Sequence, residues 1–241
     1  MQLRINHSTI DNPLILPINY NHILQSIIYD KLSADKYVGD YTHDCGWKYD
    51  ERRYKLFQFS QLKGHYIVVD KNIVFDDMVT WEVRSIDDRI IMLIKDGIEK
   101  NGINYNNLHY SEINMDISDV RIDSDELYIK MYTPVCVYST DPESKRVTYY
   151  SPEDEQFYNL VSENFVRKYN AYTGKSISDS ISLELEKYSY KDKVVTKYKG
   201  NYISGWKGIY RLSGKREYLD FLYNVGLGAR NSQGFGMFSV M

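Results

Sequence analysis

The sequence predicts an α+β protein made of two similar domains in tandem. The chain has 241 residues, of which 43% are hydrophobic, and this is enough for two cores of about 120 residues each. Short apolar runs with period two alternate with runs at helical spacing. Both halves give the order strand, helix, strand, strand, helix, strand, which is the ferredoxin-like (RRM-like, βαββαβ) order. We place the domains at 1–118 and 119–241, with the linker at 117–125.

The first half supplies one complete set of these elements. Its first helix carries an apolar stripe at Tyr20, Ile23, Leu24, Ile27, Ile28 and Leu32. Asn19 or Asn21 can cap that helix. Ser85 and Asp88 are spaced as in a capping box at the start of the second helix, so Asp87 and Asp88 are helix-start residues. The predicted strands cover 2–6, 54–62, 79–85 and 109–117.

The second half repeats the order with little sequence similarity. Ser151 is the expected N-cap of its first helix, followed by Pro152 and two acids in the first turn. The stripe of this helix contains Phe157, Leu160, Val161, Phe165, Tyr169 and Tyr172. A shorter helix is expected at 213–224. The predicted strands cover 127–137, 181–188, 194–198, 209–212 and 237–240.

Several classes of protein are disfavoured by composition. No apolar run approaches the roughly 20 residues that cross a bilayer, and the N-terminal segment MQLRINHST lacks the features of a secretory signal. Two cysteines, Cys45 and Cys136, cannot form a disulfide framework. Cys45 has no neighbouring ligand cluster that would indicate zinc. We therefore expect a soluble, cytoplasmic protein with no membrane partner, no metal and no cofactor.

A basic segment lies near the C-terminus, although the net charge of the whole chain is -3. Nine cations face one acid, Asp192, between residues 187 and 216: Lys187, Lys191, Lys193, Lys197, Lys199, Lys207, Arg211, Lys215 and Arg216. Such a cluster is typical of a phosphate-binding surface, but an ordinary solvated face of a hairpin would have the same composition. The tyrosines between the cations could stack on bases or pack across strands.

The most specific local motif is GLGARNSQGFG at 226–236, which places four glycines and Arg230 in eleven residues. Glycine tolerates positive φ, so successive amides can turn toward an anion, and the backbone can approach a ligand closely. A dinucleotide fingerprint would need glycine at position 231, where Asn231 stands, and no Walker triplet occurs. The plain alternative is a flexible turn into the last strand.

Three segments resemble one known family. VGLGARNSQGFGMF resembles the glycine-rich signature of the RAMP superfamily, specifically of the CRISPR-associated endoribonucleases that process repeat RNA (Cas family six). LPINYNHILQSIIY resembles the first helix of that family, and HDCGWKYDERRYKLFQFSQL resembles its histidine loop and the strand after it. The matches fall at both ends of the chain and in the expected order.

The resemblance implies a metal-independent cut of precursor crRNA, in which the ribose 2'-hydroxyl attacks the adjacent phosphate. In this scheme His43 takes or gives the proton that moves during the cut, since an imidazole titrates at about pH 6.5. Tyr29 orients or deprotonates the hydroxyl. Lys48 stabilises the charge that builds on phosphorus, with competitors in the same segment at Arg52, Arg53 and Lys55.

Helix geometry supports Tyr29 independently of the family. It lies opposite the apolar stripe of the first helix, so we expect it to be unneeded in the core and able to face a ligand. His22, two turns earlier on nearly the same side, is the reserve histidine.

RNA binding is expected at two segments. The candidates are Gly226, Gly228, Arg230, Asn231, Ser232 and Gly234 in the glycine-rich motif, and Lys197, Lys199, Lys207 and Arg211 in the basic segment. The family also implies a multi-subunit CRISPR effector complex as a partner, and a homodimer is considered. Two other functions stay open: a RAMP subunit that binds guide RNA without cutting it, and an unrelated scaffold that contacts an acidic protein.

Overall fold

A computed structural model describes residues 1–33, 46–198 and 200–241. The predicted site residues His43 and Lys199 lie outside the described residues, as does Cys45. Four helices occur in the described part: α1 (Asn21–Leu32), α2 (Asp88–Asn101), α3 (Glu155–Thr173) and α4 (Arg216–Val225). None of these helices is long and apolar enough to cross a membrane.

The strands of the described part are short, and most pair with a neighbour in an antiparallel ladder. In chain order they are β1 (Gln2–Ser8), β2 (Leu14–Pro17), β3 (Trp47–Tyr49), β4 (Arg52–Tyr54), β5 (Phe57–Phe59), β6 (Tyr66–Val69), β7 (Asn72–Phe75), β8 (Met78–Ser85), β9 (Ile103–Tyr105), β10 (Leu108–Tyr110), β11 (Ile113–Ser118), β12 (Glu126–Met131), β13 (Tyr138–Thr140), β14 (Val147–Tyr149), β15 (Ser182–Lys187), β16 (Lys193–Tyr198), β17 (Asn201–Trp206), β18 (Ile209–Ser213) and β19 (Phe238–Val240).

Two four-stranded sheets confirm the tandem ferredoxin-like fold. The first has the order β11-β1-β8-β5 and the second β15-β18-β12-β19. When the four strands of each sheet are numbered along the chain, both orders become 4-1-3-2. Every neighbouring pair is antiparallel. Helices α1 and α2 belong to the half of the chain that forms the first sheet, and α3 and α4 belong to the half that forms the second.

Each sheet has its own apolar core because its strands alternate between a buried and a polar face. In the first sheet Ile5 pairs with Trp81 on one side and with Met115 on the other, and Ile5 and Trp81 are fully buried. In the second, Ile129 pairs with Tyr210, and both are fully buried. Burying one such large side chain contributes about 1.5–3 kcal/mol, so the sheet faces account for much of the stability of each half.

Helices begin where the sequence predicts them to within a few residues, but the residue that caps each start is not always the predicted one. Asp87 and Asp88 start helix α2 as expected, and the Asp87 side chain caps it by accepting a 3.0 Å hydrogen bond from the Arg89 amide. The predicted capping box of Ser85 and Asp88 is wrong, because the Ser85 hydroxyl oxygen accepts from the Asp87 amide at 3.0 Å, before the helix begins. Helix α3 begins three residues later than predicted, since Ser151 donates its amide and hydroxyl to the Asp154 carboxylate in a turn before the helix. Local bonding of this kind competes with helical bonding at serine and aspartate.

The asparagine caps proposed for α1 are wrong. Tyr20 is the N-cap residue of α1, and no side chain caps the helix. The Asn19 side-chain oxygen Oδ1 instead accepts from the Thr196 hydroxyl at 2.8 Å and from the Lys197 backbone amide at 3.1 Å. Asn21 donates to the Gln233 carbonyl at 3.1 Å. Both side chains thus connect α1 to the second half of the chain.

Several hairpins were not predicted. Strand β7 pairs with β6 on one side and with β2 on the other, and all four residues of β6 are exposed. A strand exposed on both faces has no buried period in its sequence, so the alternation pattern could not reveal it. The β13–β14 hairpin and strand β17 were missed as well.

The two halves meet through buried polar contacts. The Arg84 guanidinium donates to the Phe238 carbonyl at 2.8 Å, and the Gln58 amide donates to the Tyr223 carbonyl at 2.7 Å. Leu56, whose φ is 49°, lies in the core of the second half, while the next residue, Phe57, lies in that of the first. Adjacent residues at this point therefore enter the cores of different halves.

Candidate functional site

The glycine loop, residues 226–236, is shaped by contacts with the rest of the protein. Gly236 has φ 79°, and a Cβ there would lie 2.0 Å from the Leu227 carbonyl oxygen. At Gly234, with φ 84°, a Cβ would lie 2.8 Å from the Asn21 amide nitrogen. A close approach of the glycines to a ligand was expected; instead, Gly226, Gly228 and Gly234 are buried against protein atoms. The half-buried residues of the loop are Ala229, Arg230, Ser232 and Gln233.

A buried lysine from helix α3 holds the loop from inside. The Lys168 ammonium donates to the carbonyls of Gly226 at 2.5 Å and Gly228 at 3.2 Å, and to the Asn231 side-chain oxygen at 3.1 Å. Burial lowers the pKa of Lys168 to about 7, because desolvation disfavours the charged form. Sequence reasoning missed this residue, although a lysine at helical spacing after Phe157, Val161 and Phe165 interrupts an apolar stripe.

The Asn231 side chain is hydrogen-bonded within the protein. Its amide nitrogen donates to the carbonyls of Leu227 at 2.9 Å and Phe235 at 3.1 Å, while its oxygen accepts from Lys168. All of its strong hydrogen-bonding groups are therefore used inside the protein. This geometry argues against the RNA contact expected of Asn231.

Helix α1 lies against the same loop and presents Tyr29 to it. The Gln25 amide donates to the Ser232 carbonyl at 2.6 Å, and the Ser232 side chain hydrogen-bonds to Tyr29. The Tyr29 ring packs edge to face on Phe57, with centroids 5.8 Å apart. The expectation of an unpacked Tyr29 is therefore wrong, because the loop and β5 cover the side of α1 that the apolar stripe leaves out.

The environment of Tyr29 determines what its hydroxyl can do. Burial raises the pKa of Tyr29 to about 12, since the phenolate would be poorly solvated there. The hydroxyl consequently stays protonated throughout the neutral range. Tyr29 can donate a hydrogen bond to a substrate oxygen, but it is a poor proton acceptor at pH 7.

The β16–β17 hairpin brings part of the basic segment to helix α1. The Tyr198 hydroxyl donates to the Gln25 side-chain oxygen, and Lys197 is exposed beside it with its ammonium 5.8 Å from the Tyr202 ring centroid. Gln25 thus connects Tyr198 of the hairpin with Ser232 of the loop, and Lys197 is the residue next to Tyr198. His22 is exposed on the same helix, and its Nδ1 lies 2.9 Å from the Asn19 carbonyl.

The rest of the basic segment does not form one positive surface. Arg211 pairs with Glu184, with Glu186 at 3.4 Å and with Glu126 at 3.7 Å. Lys215 pairs with Asp179, and Arg216 pairs with Asp123 at 2.7 Å. Lys207 is half-buried, and burial lowers its pKa. A charge count along the chain does not show the acids that neighbouring strands place beside Arg211, and these ion pairs disfavour the phosphate contact predicted for Arg211.

A cleft of about 530 Å³ opens beside the glycine loop, between the β3–β4 hairpin, α3 and β13. Its cations are Arg52, Arg53, Lys55, Arg167, Lys168 and Arg230, and its carboxylate is Glu163. Lys48 is exposed on β3 and is not among the described residues that line this cleft. Of the cations weighed from the sequence, the fold therefore brings the competitors Arg52, Arg53 and Lys55 to the loop.

One wall of the cleft carries Arg230 and Tyr138. The Arg230 guanidinium carbon lies 4.9 Å from the Tyr138 ring centroid, and one guanidinium nitrogen donates to the Gln233 side-chain oxygen at 3.1 Å. Behind them Cys136 is a free, buried thiol whose pKa burial raises to about 12. In the described ranges no three His, Cys, Asp or Glu side chains come together as a set that could hold a metal ion.

Comparison with known proteins agrees with this fold and this loop. A protein of Pyrococcus furiosus named CRISPR-associated endoribonuclease-like protein Cas6 is 25% identical over 96% of this chain and 94% of its own length. The CRISPR-associated endoribonuclease Cas6 1 of Methanocaldococcus jannaschii is 23% identical over 94% of this chain and 88% of its own length. A solved structure described as a RAMP protein binding different RNA substrates superposes with a TM-score of 0.80 at 22% identity, covering 100% of this chain and 99% of that one.

A family model described as CRISPR associated protein Cas6, C-terminal, matches residues 116–240. This match includes the whole second sheet, the buried Lys168 and the glycine loop, and it spans more than half of the sequence. The chain belongs to the Cas6 family of CRISPR-associated proteins.

Proposed function

We propose that the protein is a metal-independent endoribonuclease that cuts precursor crRNA within its repeats and so produces guide RNA. The ribose 2'-hydroxyl attacks the adjacent phosphorus, a 2',3'-cyclic phosphate forms, and the 5'-oxygen leaves as a hydroxyl. The observation that carries the proposal is the meeting of Tyr29, the glycine loop and a cleft with six cations at one place in the fold.

The described groups divide the chemistry between them. Tyr29, which remains protonated at neutral pH, orients a substrate oxygen by donating a hydrogen bond. Lys55 in the cleft, and not Lys48, is the cation we assign to the charge that builds on phosphorus. The proton transfer is assigned to His43, which lies outside the described residues and is retained from the family resemblance.

The RNA is expected to cross the glycine loop at its half-buried positions, Arg230 and Ser232, and to continue over the β16–β17 hairpin at Lys197. Arginine donates two parallel hydrogen bonds to a phosphate, which suits Arg230 to the backbone of the RNA. Lys199 lies outside the described residues and stays a candidate from the sequence alone. A homodimer and a multi-subunit effector complex remain proposed partners.

The names of the relatives support this assignment. The Methanocaldococcus jannaschii relative is named a CRISPR-associated endoribonuclease. The superposed RAMP structure is described as binding different RNA substrates, which also supports a second candidate function. In that alternative the chain is a RAMP-type subunit that binds guide RNA without cutting it.

A cleavage assay in excess EDTA tests the proposal. Purified protein and labelled repeat RNA should give one fragment ending in a cyclic phosphate and one beginning with a 5'-hydroxyl. A substrate with a 2'-deoxyribose at the cut should bind and stay intact, because the attacking hydroxyl is missing. Binding of normal repeat RNA without any product would favour the non-cutting subunit, and cleavage that EDTA abolishes would refute the metal-independent reaction.

The choice between the two lysines has its own test. We expect Lys55→Met to lower the single-turnover cleavage rate by about 10²–10³-fold, the usual effect of removing one charge-stabilising donor from an active site. Lys48→Met is the matched control, since it removes the same charge from an exposed position outside the cleft. The assignment is reversed if Lys48→Met shows the large loss and Lys55→Met does not.

A further inference from the structure

We propose that the cleft beside the glycine loop is a subsite for one unpaired nucleotide of the bound RNA, and that Asn164 recognises its base. The inference rests on the proposed function, since it assumes an RNA ligand. It adds a specificity-determining residue on helix α3, outside the glycine loop and the Tyr29 site.

Size and charge favour one nucleotide as the occupant. The cleft volume of about 530 Å³ is in the range of pockets that enclose one small ligand, about 300–1,000 Å³. Six basic side chains line it against one carboxylate, Glu163, which already pairs with Arg167 at 2.7 Å. Five of them are arginines or the half-buried Lys55, while Lys168 is buried with its pKa lowered to about 7 and adds less charge. An anion such as the phosphate of a nucleotide is therefore the ligand that this electrostatic environment favours.

The wall of the cleft offers surfaces for a base. Tyr138 is half-buried, and the Arg230 guanidinium lies on its ring. Unpaired RNA bases stack on aromatic rings and on guanidinium planes, which fit any base. Stacking on this wall would hold a base without selecting among the four.

Asn164 supplies the selective group. Its side-chain oxygen is buried and, in the described part of the chain, has no hydrogen-bond partner. Buried acceptors in native proteins are almost always satisfied, so this oxygen calls for a donor that arrives with the ligand. A phosphate at neutral pH has only acceptors to offer, whereas the edge of an unpaired base carries N–H donors.

The position of Asn164 is rigid. It lies one turn before Lys168 on α3, and Lys168 anchors the loop that carries Arg230. Arg230 Nε is also buried without a partner among the residues described. The acceptor and the donor thus line the same cleft on elements that are fixed to each other.

A coupling experiment tests the subsite. Dissociation constants are measured for wild type and Asn164→Leu with repeat RNAs that carry an abasic site at each unpaired nucleotide in turn. For wild type, one position should lose more than tenfold in affinity when its base is removed, because a buried hydrogen bond and the stacking on the wall are lost together. In Asn164→Leu the loss at the same position should be about tenfold smaller, since only stacking remains to be lost, while the losses at other positions stay unchanged.

The matched control is Asn159→Leu, which makes the same substitution at an exposed position on α3. It should keep the wild-type pattern of losses. Tyr138→Leu is a second variant, needed if Asn164→Leu does not fold, and it should reduce the loss at the same position.

If wild type binds no repeat RNA, the proposed function fails. If wild type binds, and the pattern of losses is the same in Asn164→Leu and Tyr138→Leu, the subsite is overturned while the proposed function stands.

Discussion

Replacing His43 by alanine is expected to slow cleavage of repeat RNA by about 10²–10⁴-fold, the usual contribution of a general acid or base. An imidazole is suited to this role because its ordinary pKa of about 6.5 leaves both protonation states populated near neutral pH. Affinity for the RNA should change little, since proton transfer matters only in the transition state. Single-turnover cleavage with enzyme in excess, together with a separate binding measurement, gives both quantities.

His22→Ala is the control for this substitution. His22 is exposed on α1, on nearly the same side as Tyr29. The His22→Ala variant should cleave at close to the wild-type rate. If His22→Ala loses most of its cleavage rate while His43→Ala stays active, His22 and not His43 performs the proton transfer. Two active variants would remove both histidines from the mechanism.

Replacing Gly236 by alanine is expected to destabilise the fold by about 2–5 kcal/mol and to weaken RNA binding with it. The φ of 79° is unfavourable for alanine, and the new Cβ would lie 2.0 Å from the Leu227 carbonyl oxygen. Either the loop or the start of β19 must move. Denaturant unfolding measures the change in free energy, and a binding assay measures the effect on the loop.

Gly174→Ala separates the two causes. Gly174 also has a left-handed conformation, with φ 68°, but a Cβ there would have no atom within 4 Å. In Gly174→Ala the free energy of unfolding should fall only by the cost of placing alanine in the left-handed conformation, about 1–2 kcal/mol. Equal losses in the two variants would show that contact with Leu227 contributes nothing to the requirement for glycine at position 236.

Some features of the candidate site can be predicted from the sequence, and others depend on the tertiary structure. Tyr29 was found from the helical pattern and the family resemblance, and the structure brings it to the glycine loop. Arg211 was chosen from a charge count, yet it is paired with three glutamates from β12 and β15. Lys168 was not considered because it is distant in sequence from the loop it holds. Neither the ion pairs of Arg211 nor the bonds of Lys168 are visible in the sequence, because charge pairing and hydrogen bonding depend on distances in space.

The sequence by itself determined the tandem ferredoxin-like fold, the helices and most sheet strands, because alternating and helical apolar patterns are local properties of the chain. It also determined where glycine is needed. Only the tertiary structure decided why it is needed, by packing the loop around Lys168, Asn21 and Gln25. It also decided which cations meet at the cleft, since only the packing of α3, the β3–β4 hairpin and the loop fixes which charges are neighbours.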